Sequence, residues 1–464
     1  MISDGSVRNH PALGRLEATR LSAPARPDLD PLRASDGVIH RLRALHPPLI
    51  DLTTGRVERL LAALGRPHER MGPVIHVAGT NGKGSTCAFL RAIAEAAGLK
   101  VHVLTSPHLV RFAERIRIAG RLITDNELSL RIDEVIAANA GGEISFFEIA
   151  SALAFHAFAQ TPADLCIIEV GLGGRFDATN VFAAPAVSVI APVDYDHVEL
   201  LGSDLGKIAW EKAGIIKAGR PVVVARQPDQ ALGVIEAQAD ALGAPLTLMG
   251  RDVDGWEERG RLVVQLQDRL LDLPAPRLPG AHQFANAALA VAAVTALDDP
   301  RIDDAAVATG VATAVWPGRF QRLTLGPIAA LAAGADVWLD GAHNPHAAQA
   351  LAEMCGRLSA RDGRSVAMVV GMLGRKDARS FFAALKSLNP TVFATSFDSP
   401  TATPAEALAD AARSVGLTAE TVNNVEAGVR RAMAGGGPKP HIVVCGSLHF
   451  VGEVLAMSPQ TWPD

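Results

Sequence analysis

From Val74 onward, short β-branched runs alternate with Ala-rich stretches of helical period. Val74 to Ala78 reads as a buried strand, a Gly-rich turn follows, and Ser85 to Ala97 reads as a helix ending at Gly98. Val101 to Leu104, Leu165 to Val170, Ala186 to Ile190 and Pro221 to Ala225 read as further buried strands. Apolar runs of this length spaced by helices predict a mostly parallel sheet. The pattern breaks around Val315-Trp316-Pro317-Gly318, and a second alternation begins. It comprises strands at Val337 to Leu339, Ser365 to Val370, Thr391 to Thr395 and Ile442 to Cys445, with helices from about Ala347 and after Pro404. Between Gly243 and Leu278 short alternating segments such as Arg261-Leu262-Val263-Val264-Gln265 predict a small antiparallel excursion. The expected organisation is a disordered extension over residues 1–35, a first α/β domain over 36–315 and a second over 316–464.

Composition narrows this picture only at its edges. The chain has 464 residues, too many for one core, with 48% hydrophobic and 20% charged positions. A formal net charge of -5 gives no basic excess for nucleic acid. Cys87, Cys166, Cys355 and Cys445 form no CxxC pair and sit in apolar runs, so buried free thiols in a reducing compartment are expected. No uninterrupted apolar run is long enough for a membrane span, and no apolar h-region opens the chain. A cytoplasmic protein without a membrane or nucleic-acid partner is the expectation.

The chemistry begins at Gly79-Thr80-Asn81-Gly82-Lys83-Gly84-Ser85-Thr86. A strand, a Gly-rich turn and a helix start form an anion site, because unpaired N–H groups and the helix dipole converge there. Lys83 would add a point charge on nucleotide phosphates, and Ser85 or Thr86 a hydroxyl near a metal. The strict GxxxxGK[ST] pattern fails, since Val77 stands for its first Gly and Gly84 separates Lys83 from Ser85.

Other motifs follow in order: Thr105-Ser106-Pro107-His108-Leu109 with Arg111, Glu114 and Arg115; Phe146-Phe147-Glu148; and Glu169-Val170-Gly171-Leu172-Gly173-Gly174-Arg175 with Asp177-Ala178-Thr179-Asn180. Then come Asp196-His197, Glu211-Lys212-Ala213-Gly214-Ile215, Pro317-Gly318-Arg319, Asp340-Gly341-Ala342-His343-Asn344-Pro345, Lys376-Asp377 and Gly446-Ser447-Leu448. Together they resemble the Mur ligase superfamily, and within it the folylpolyglutamate synthase/dihydrofolate synthase branch, over roughly residues 50 to 455.

That resemblance implies an N-terminal P-loop ATPase domain with a parallel sheet and a C-terminal Rossmann-like α/β domain. It implies ATP and Mg²⁺ at two sites, with Ser106, Glu169 and His197 as metal ligands and Lys212 as a carbamylated lysine bridging to metal. Asn81 to Thr86 would hold the phosphates, Asn286 the base, and Arg319 the phosphates from the hinge, with Asp340 completing the nucleotide site from the second domain, while Lys83, Lys212 and His343 would serve the reaction. Asp51, Thr53, Ser145, Phe147, Asp177 and Ala178 would bind the pterin-bearing acid. The implied reaction joins L-glutamate to dihydropteroate and then to reduced folates through an acyl phosphate, by a monomer acting on small molecules. On their own, Glu211-Lys212 is an ordinary helix-surface pair, Asn286 a helix cap, Arg319 a linker charge, and Phe146-Phe147 core residues. A polyglutamylase without the dihydropteroate step, a UDP-muramyl amino-acid ligase and a P-loop switch protein are the rival readings. The extra residues at Ala329 to Ala335, and those holding Pro185 and Pro192, read as loop insertions.

Overall fold

The computed structural model describes residues 37, 41–42, 53–435 and 437–464. Asp51 and the extension expected at 1–35 lie outside the described residues. The first sheet contains β1 (Val74–Ala78), β2 (Val101–Leu104), β3 (Ile116–Ile118), β4 (Arg121–Leu122), β5 (Leu165–Glu169), β6 (Val187–Ile190), β7 (Val222–Val224) and β8 (Leu246–Leu248). Their order is β4-β3-β2-β5-β1-β6-β7-β8, parallel except where β3 and β4 pair antiparallel at one edge.

Both faces of this sheet are covered, as its unbroken apolar strands require. Successive side chains point to opposite faces. Ile75, Val77, Ile167, Val187 and Val189 therefore join one core with residues of the helices Lys83–Ala96 and Ala281–Leu297. Val74, Leu104, Cys166 and Ile168 join another, with the helices Asp125–Asn139 and Phe146–Phe158. The antiparallel excursion is β9 (Asp254–Glu258), β10 (Arg261–Gln265) and β11 (Leu270–Leu273). Its Leu262 and Val264 complete the first core.

The second sheet holds β12 (Gln321–Leu323), β13 (Asp336–Leu339), β14 (Val366–Val370), β15 (Thr391–Ala394), β16 (Ala419–Thr421) and β17 (His441–Cys445), in the order β12-β13-β17-β14-β15-β16. Only β12 runs antiparallel. Val366, Met368 and Val370 face one core while Ala367 and Val369 face the other. All four cysteines are free and buried, as expected.

One loop expectation is corrected. The insertion before β13 contains a helix, Gly326–Leu331, with Ile328 and Ala332 buried. A proline in its first turn and an Ala-rich run favour helix there, and Ile328 gains burial in the second core. The segment holding Pro192 also has a use: its carbonyl accepts from the N–H groups of Thr80 and Asn81 at 2.9 and 3.4 Å.

Candidate active site

The site forms where the strand order reverses about β1, at the carboxyl ends of the strands, the usual ligand edge of such a sheet. The chain leaves β1 at Gly79 with φ +147°, where an added Cβ would lie 2.7 Å from the Ala191 methyl carbon. It enters the helix Lys83–Ala96 through Gly82 with φ +85°. The first N–H groups of that helix have no intrahelical acceptors and face the turn. Lys83 Nζ curls back, donating to the Gly79 and Thr80 carbonyls at 3.0 and 3.2 Å. Of the two candidate hydroxyls, Ser85 Oγ accepts from Gln283 Nε2 at 3.2 Å, whereas Thr86 Oγ1 is buried without a partner.

The departure from the usual phosphate-loop pattern has a steric cause. A Cβ on Gly84 would lie 2.6 Å from Trp316 Nε1. The indole of the connecting segment occupies the space that a Ser or Thr would use. Gly84→Ser, although it restores the usual letter, is expected to lower both melting temperature and kcat, and Trp316→Ala in the same chain to recover part of each. Melting curves and turnover of the three variants measure this; an active, stable Gly84→Ser would refute the steric account.

Beside the loop, three strand ends bring predicted ligands together. Glu169, the last residue of β5, is buried and accepts from the Ser106 N–H at 3.1 Å. Burial pushes its carboxyl above the ordinary range, against the pull of Lys83, the Ser106 N–H and Arg319. His197, after β6, has φ +53° and a buried Nδ1 without a hydrogen-bond partner. Burial, then Lys376, Arg375 and Lys83, bring its pKa down to about 3 despite Asp196. That direction favours the neutral ring, the form that ligates metal.

Lys212, on the helix Leu205–Ala213, is buried rather than on the surface, and donates to the same Gly79 carbonyl at 3.1 Å. Burial first, and Lys83 second, lower its pKa to about 7. Among the described residues no group of three or more His, Cys, Asp and Glu could hold a metal. The predicted set contains only two such residues, Glu169 and His197, beside a hydroxyl and an amine. A buried carboxylate held by a backbone N–H, an imidazole whose Nδ1 makes no hydrogen bond among the described residues and the Thr86 hydroxyl, likewise without one, fit a hard cation next to phosphates.

The C-terminal half contributes across the cleft. Asn81 and Asn344 exchange amide hydrogen bonds of 3.4 and 3.1 Å, and Asn81 Nδ2 lies 3.0 Å from His346 Nδ1. His343 Nε2 lies 3.3 Å from Asp196 Oδ2, and Lys376 Nζ donates to Asp196 Oδ1. The sequence motifs contained Asp196 and Lys376 but assigned them no task. Arg319 donates to the Gly318 carbonyl at 3.1 Å, while Asp340 accepts from the Phe320 and Ala342 N–H groups at 2.8 Å each. Asn286 is buried beside the phosphate loop: its Oδ1 lies 2.5 Å from where a Gly82 Cβ would stand, and its Nδ2 donates to Gln283. A cavity of about 430 Å³ opens onto Ser106, Glu169 and Arg319.

The residues predicted for the pterin-bearing acid separate into two kinds. The Phe147 ring covers Gly171, 2.4 Å from where its Cβ would be, two residues beyond Glu169. Ser145 and Asp177 are instead committed to the backbone. Ser145 caps the helix Phe146–Phe158 in a reciprocal box with Glu148, a Ser-x-x-Glu signal legible in the sequence. Asp177 accepts from the Leu172 and Thr179 N–H groups and the Thr179 hydroxyl, at 2.8, 3.0 and 2.6 Å, and holds the Gly-rich loop after β5. His76 Nε2 continues that chain at 2.9 Å from Thr179 Oγ1. Ala178 is buried next to it, and Thr53 Oγ1 accepts from the Gly55 N–H at 3.3 Å, at the start of the helix Gly55–Ala63.

Known proteins resemble this chain along most of its length. Residues 77–294 match the Mur ligase middle domain, and residues 318–448 the Mur ligase glutamate ligase domain. The dihydrofolate synthase/folylpolyglutamate synthase of Bacillus subtilis is 33% identical over 416 residues, covering 86% of this chain and 93% of the relative. The Escherichia coli FolC structure in complex with DHPP and ADP matches with a TM-score of 0.81 and 34% identity, over 92% of this chain and 97% of that one. A bifunctional folylpolyglutamate synthase/dihydrofolate synthase structure with Mn, AMPPNP and L-glutamate bound matches with a TM-score of 0.80 and 34% identity, over 92% and 98%. With identity and coverage of this extent, and both Mur ligase domains matched in order, the chain belongs to the dihydrofolate synthase/folylpolyglutamate synthase family of Mur-type ligases.

Proposed function

We propose that this protein uses ATP to join L-glutamate to dihydropteroate and then adds γ-linked glutamates to reduced folates. The observation that carries the reading is the convergence of the phosphate loop, the Ser106–Glu169 pair and buried Lys212 at one sheet edge, faced by the second α/β unit. A carboxylate is inert to amines at neutral pH, so the γ-phosphoryl group of ATP first passes to it. The acyl phosphate then meets the amino group of glutamate, and phosphate leaves. The task of the protein in such a transfer is charge neutralisation and alignment.

Lys83, the N–H groups from Gly82 to Ser85 and the unpartnered Thr86 hydroxyl hold the phosphates, with Asn81 at the rim and Arg319 reaching in from the connecting segment. Asn286 and Asp340 border the nucleotide, His343 serves the transfer from the far side, and Phe147 offers an aromatic face to the acid. Thr53, Ser145, Asp177 and Ala178 shape that pocket chiefly by fixing the chain around it. Mg²⁺, in two sites, would be held by Ser106, Glu169, His197 and a carbamylated Lys212, and would neutralise the transferring phosphoryl oxygens. The two units, 36–315 and 316–464, would act within a cytoplasmic monomer.

The deciding measurement is phosphate release from ATP with dihydropteroate plus glutamate, and separately with tetrahydrofolate plus glutamate. Stimulation by both pairs is expected. Silence with both would sink the folate reading, and stimulation by the second alone would leave a polyglutamylase.

A further inference from the structure

Asp196 is in contact with three groups that belong to different parts of the molecule. Its Oδ1 accepts from the His197 backbone N–H at 2.9 Å, and that bond braces a residue held at φ +53°. The same Oδ1 receives Lys376 Nζ, and Oδ2 lies 3.3 Å from His343 Nε2, both from the C-terminal half. The Asp196 and Lys376 side chains are only 12% and 9% exposed. Lys376 sits just beyond β14 and Asp196 just beyond β6, so the carboxyl ends of the two sheets face each other through this pair. A non-glycine residue in the left-handed region is strained and persists where surrounding contacts over-determine it. The His197 carbonyl caps the short helix Val198–Leu201, and the Asp196 carboxylate that receives its N–H also touches the opposite unit.

We propose that Asp196 is a positioning residue that couples the placement of the His197 imidazole to the docking of the second α/β unit through Lys376. With Lys376 in place, the carboxylate is immobilised and the turn that aims His197 is set. Without Lys376, a buried carboxylate loses its cation and the turn relaxes. Metal-facing residues then reach their working geometry only when the two halves meet, which ties phosphoryl transfer to closure of the cleft. The inference rests on the reading of His197 as a metal ligand.

The test is a mutant cycle of Asp196→Asn, Lys376→Met and the double variant, with kcat, KM for ATP, the Mg²⁺ concentration for half-maximal activity and, without turnover, the Mg²⁺ concentration that half-saturates the rise in melting temperature measured for each. Removing a group that orients a ligand typically costs about 10–100-fold in metal affinity or activity. Each single variant should lower kcat and raise the Mg²⁺ requirement by that order, with KM for ATP little changed. The double variant should be no worse than the worse single one, since both act through one contact. Additive losses, or an unchanged Mg²⁺ requirement in Lys376→Met, would overturn the proposal. Melting curves identify variants that fail to fold; if Asp196→Asn does, Lys376→Met alone still decides through its Mg²⁺ requirement. His197→Ala separates the two readings: an unaltered Mg²⁺ requirement there removes His197 as a ligand, while the cycle in kcat still reports whether Asp196 and Lys376 act as one.

Discussion

Lys212→Ala should lower kcat by roughly 10²–10³-fold, the loss expected when one charge-organising group is removed from a preorganised site, and small carboxylates added to the assay should restore part of it. The residue is buried, and its ammonium shares the Gly79 carbonyl with that of Lys83. Burial and then the Lys83 charge bring its pKa to about 7. At neutral pH much of the side chain is therefore a free amine. Such an amine can attack CO₂: an N–C bond forms, the nitrogen gives up a proton, and the carbamate carries one negative charge. Carbamate occupancy should rise with pH through 7, visible as incorporation of ¹³C-bicarbonate by NMR. The stability effect has the same origin. The folded pKa lies below the ordinary lysine value of 10.5, so folding is weakened progressively as pH falls from 10.5 towards 7 and is no weaker below that. A Lys212→Met chain should thus melt higher than the parent near pH 7 when CO₂ is excluded. Full activity in Lys212→Ala, or no response to added acetate, would remove the carbamate from the mechanism.

Glu169→Gln is expected to abolish most turnover while making the protein more stable in the absence of divalent cations. Glu169 ends β5, buried, and accepts a hydrogen bond from the Ser106 N–H. Its folded pKa is raised by burial, so ionisation opposes folding and stability declines as pH climbs from the unfolded value towards the folded one. The amide keeps the shape and removes that burden. A buried charge is costly, and its neutral isostere is less so. The expected readout is a higher melting temperature for Glu169→Gln with EDTA present, and a gap that narrows or reverses in excess Mg²⁺ because only the parent gains cation binding. If the parent proves the more stable of the two with EDTA present, Glu169 is not held ready for a cation.

Phe147 and Ser145 illustrate how far local patterns reach. Both lie in a motif read as a substrate surface, yet Ser145 serves first as a helix cap with Glu148. The capping signal was as legible as the motif, and only the hydrogen bonds separated the two. The insertion before β13 was misread because an Ala-rich run lacks an amphipathic stripe; its helix is set by Pro327 and by Ile328 reaching the second core.

The chain alone determined what depends on neighbours in sequence: the period-two and helical patterns that build two sheets, the Gly79–Ser85 turn on which phosphate-binding N–H groups converge, and the order of motifs that marks the family. Tertiary structure decided what depends on partners far away. Trp316 against Gly84 explains why the phosphate loop departs from its usual pattern. Lys212 becomes a buried amine only because its helix lays it on the Gly79 carbonyl, 133 positions earlier. Asp196 finds His343 and Lys376 at separations of 147 and 180 residues, and Asn81 finds Asn344 at 263. Short-range patterning records propensity and amphipathicity, whereas burial, desolvation and charge pairing arise only when separate elements are brought into contact, and these set the protonation and aim of the groups that would do the chemistry.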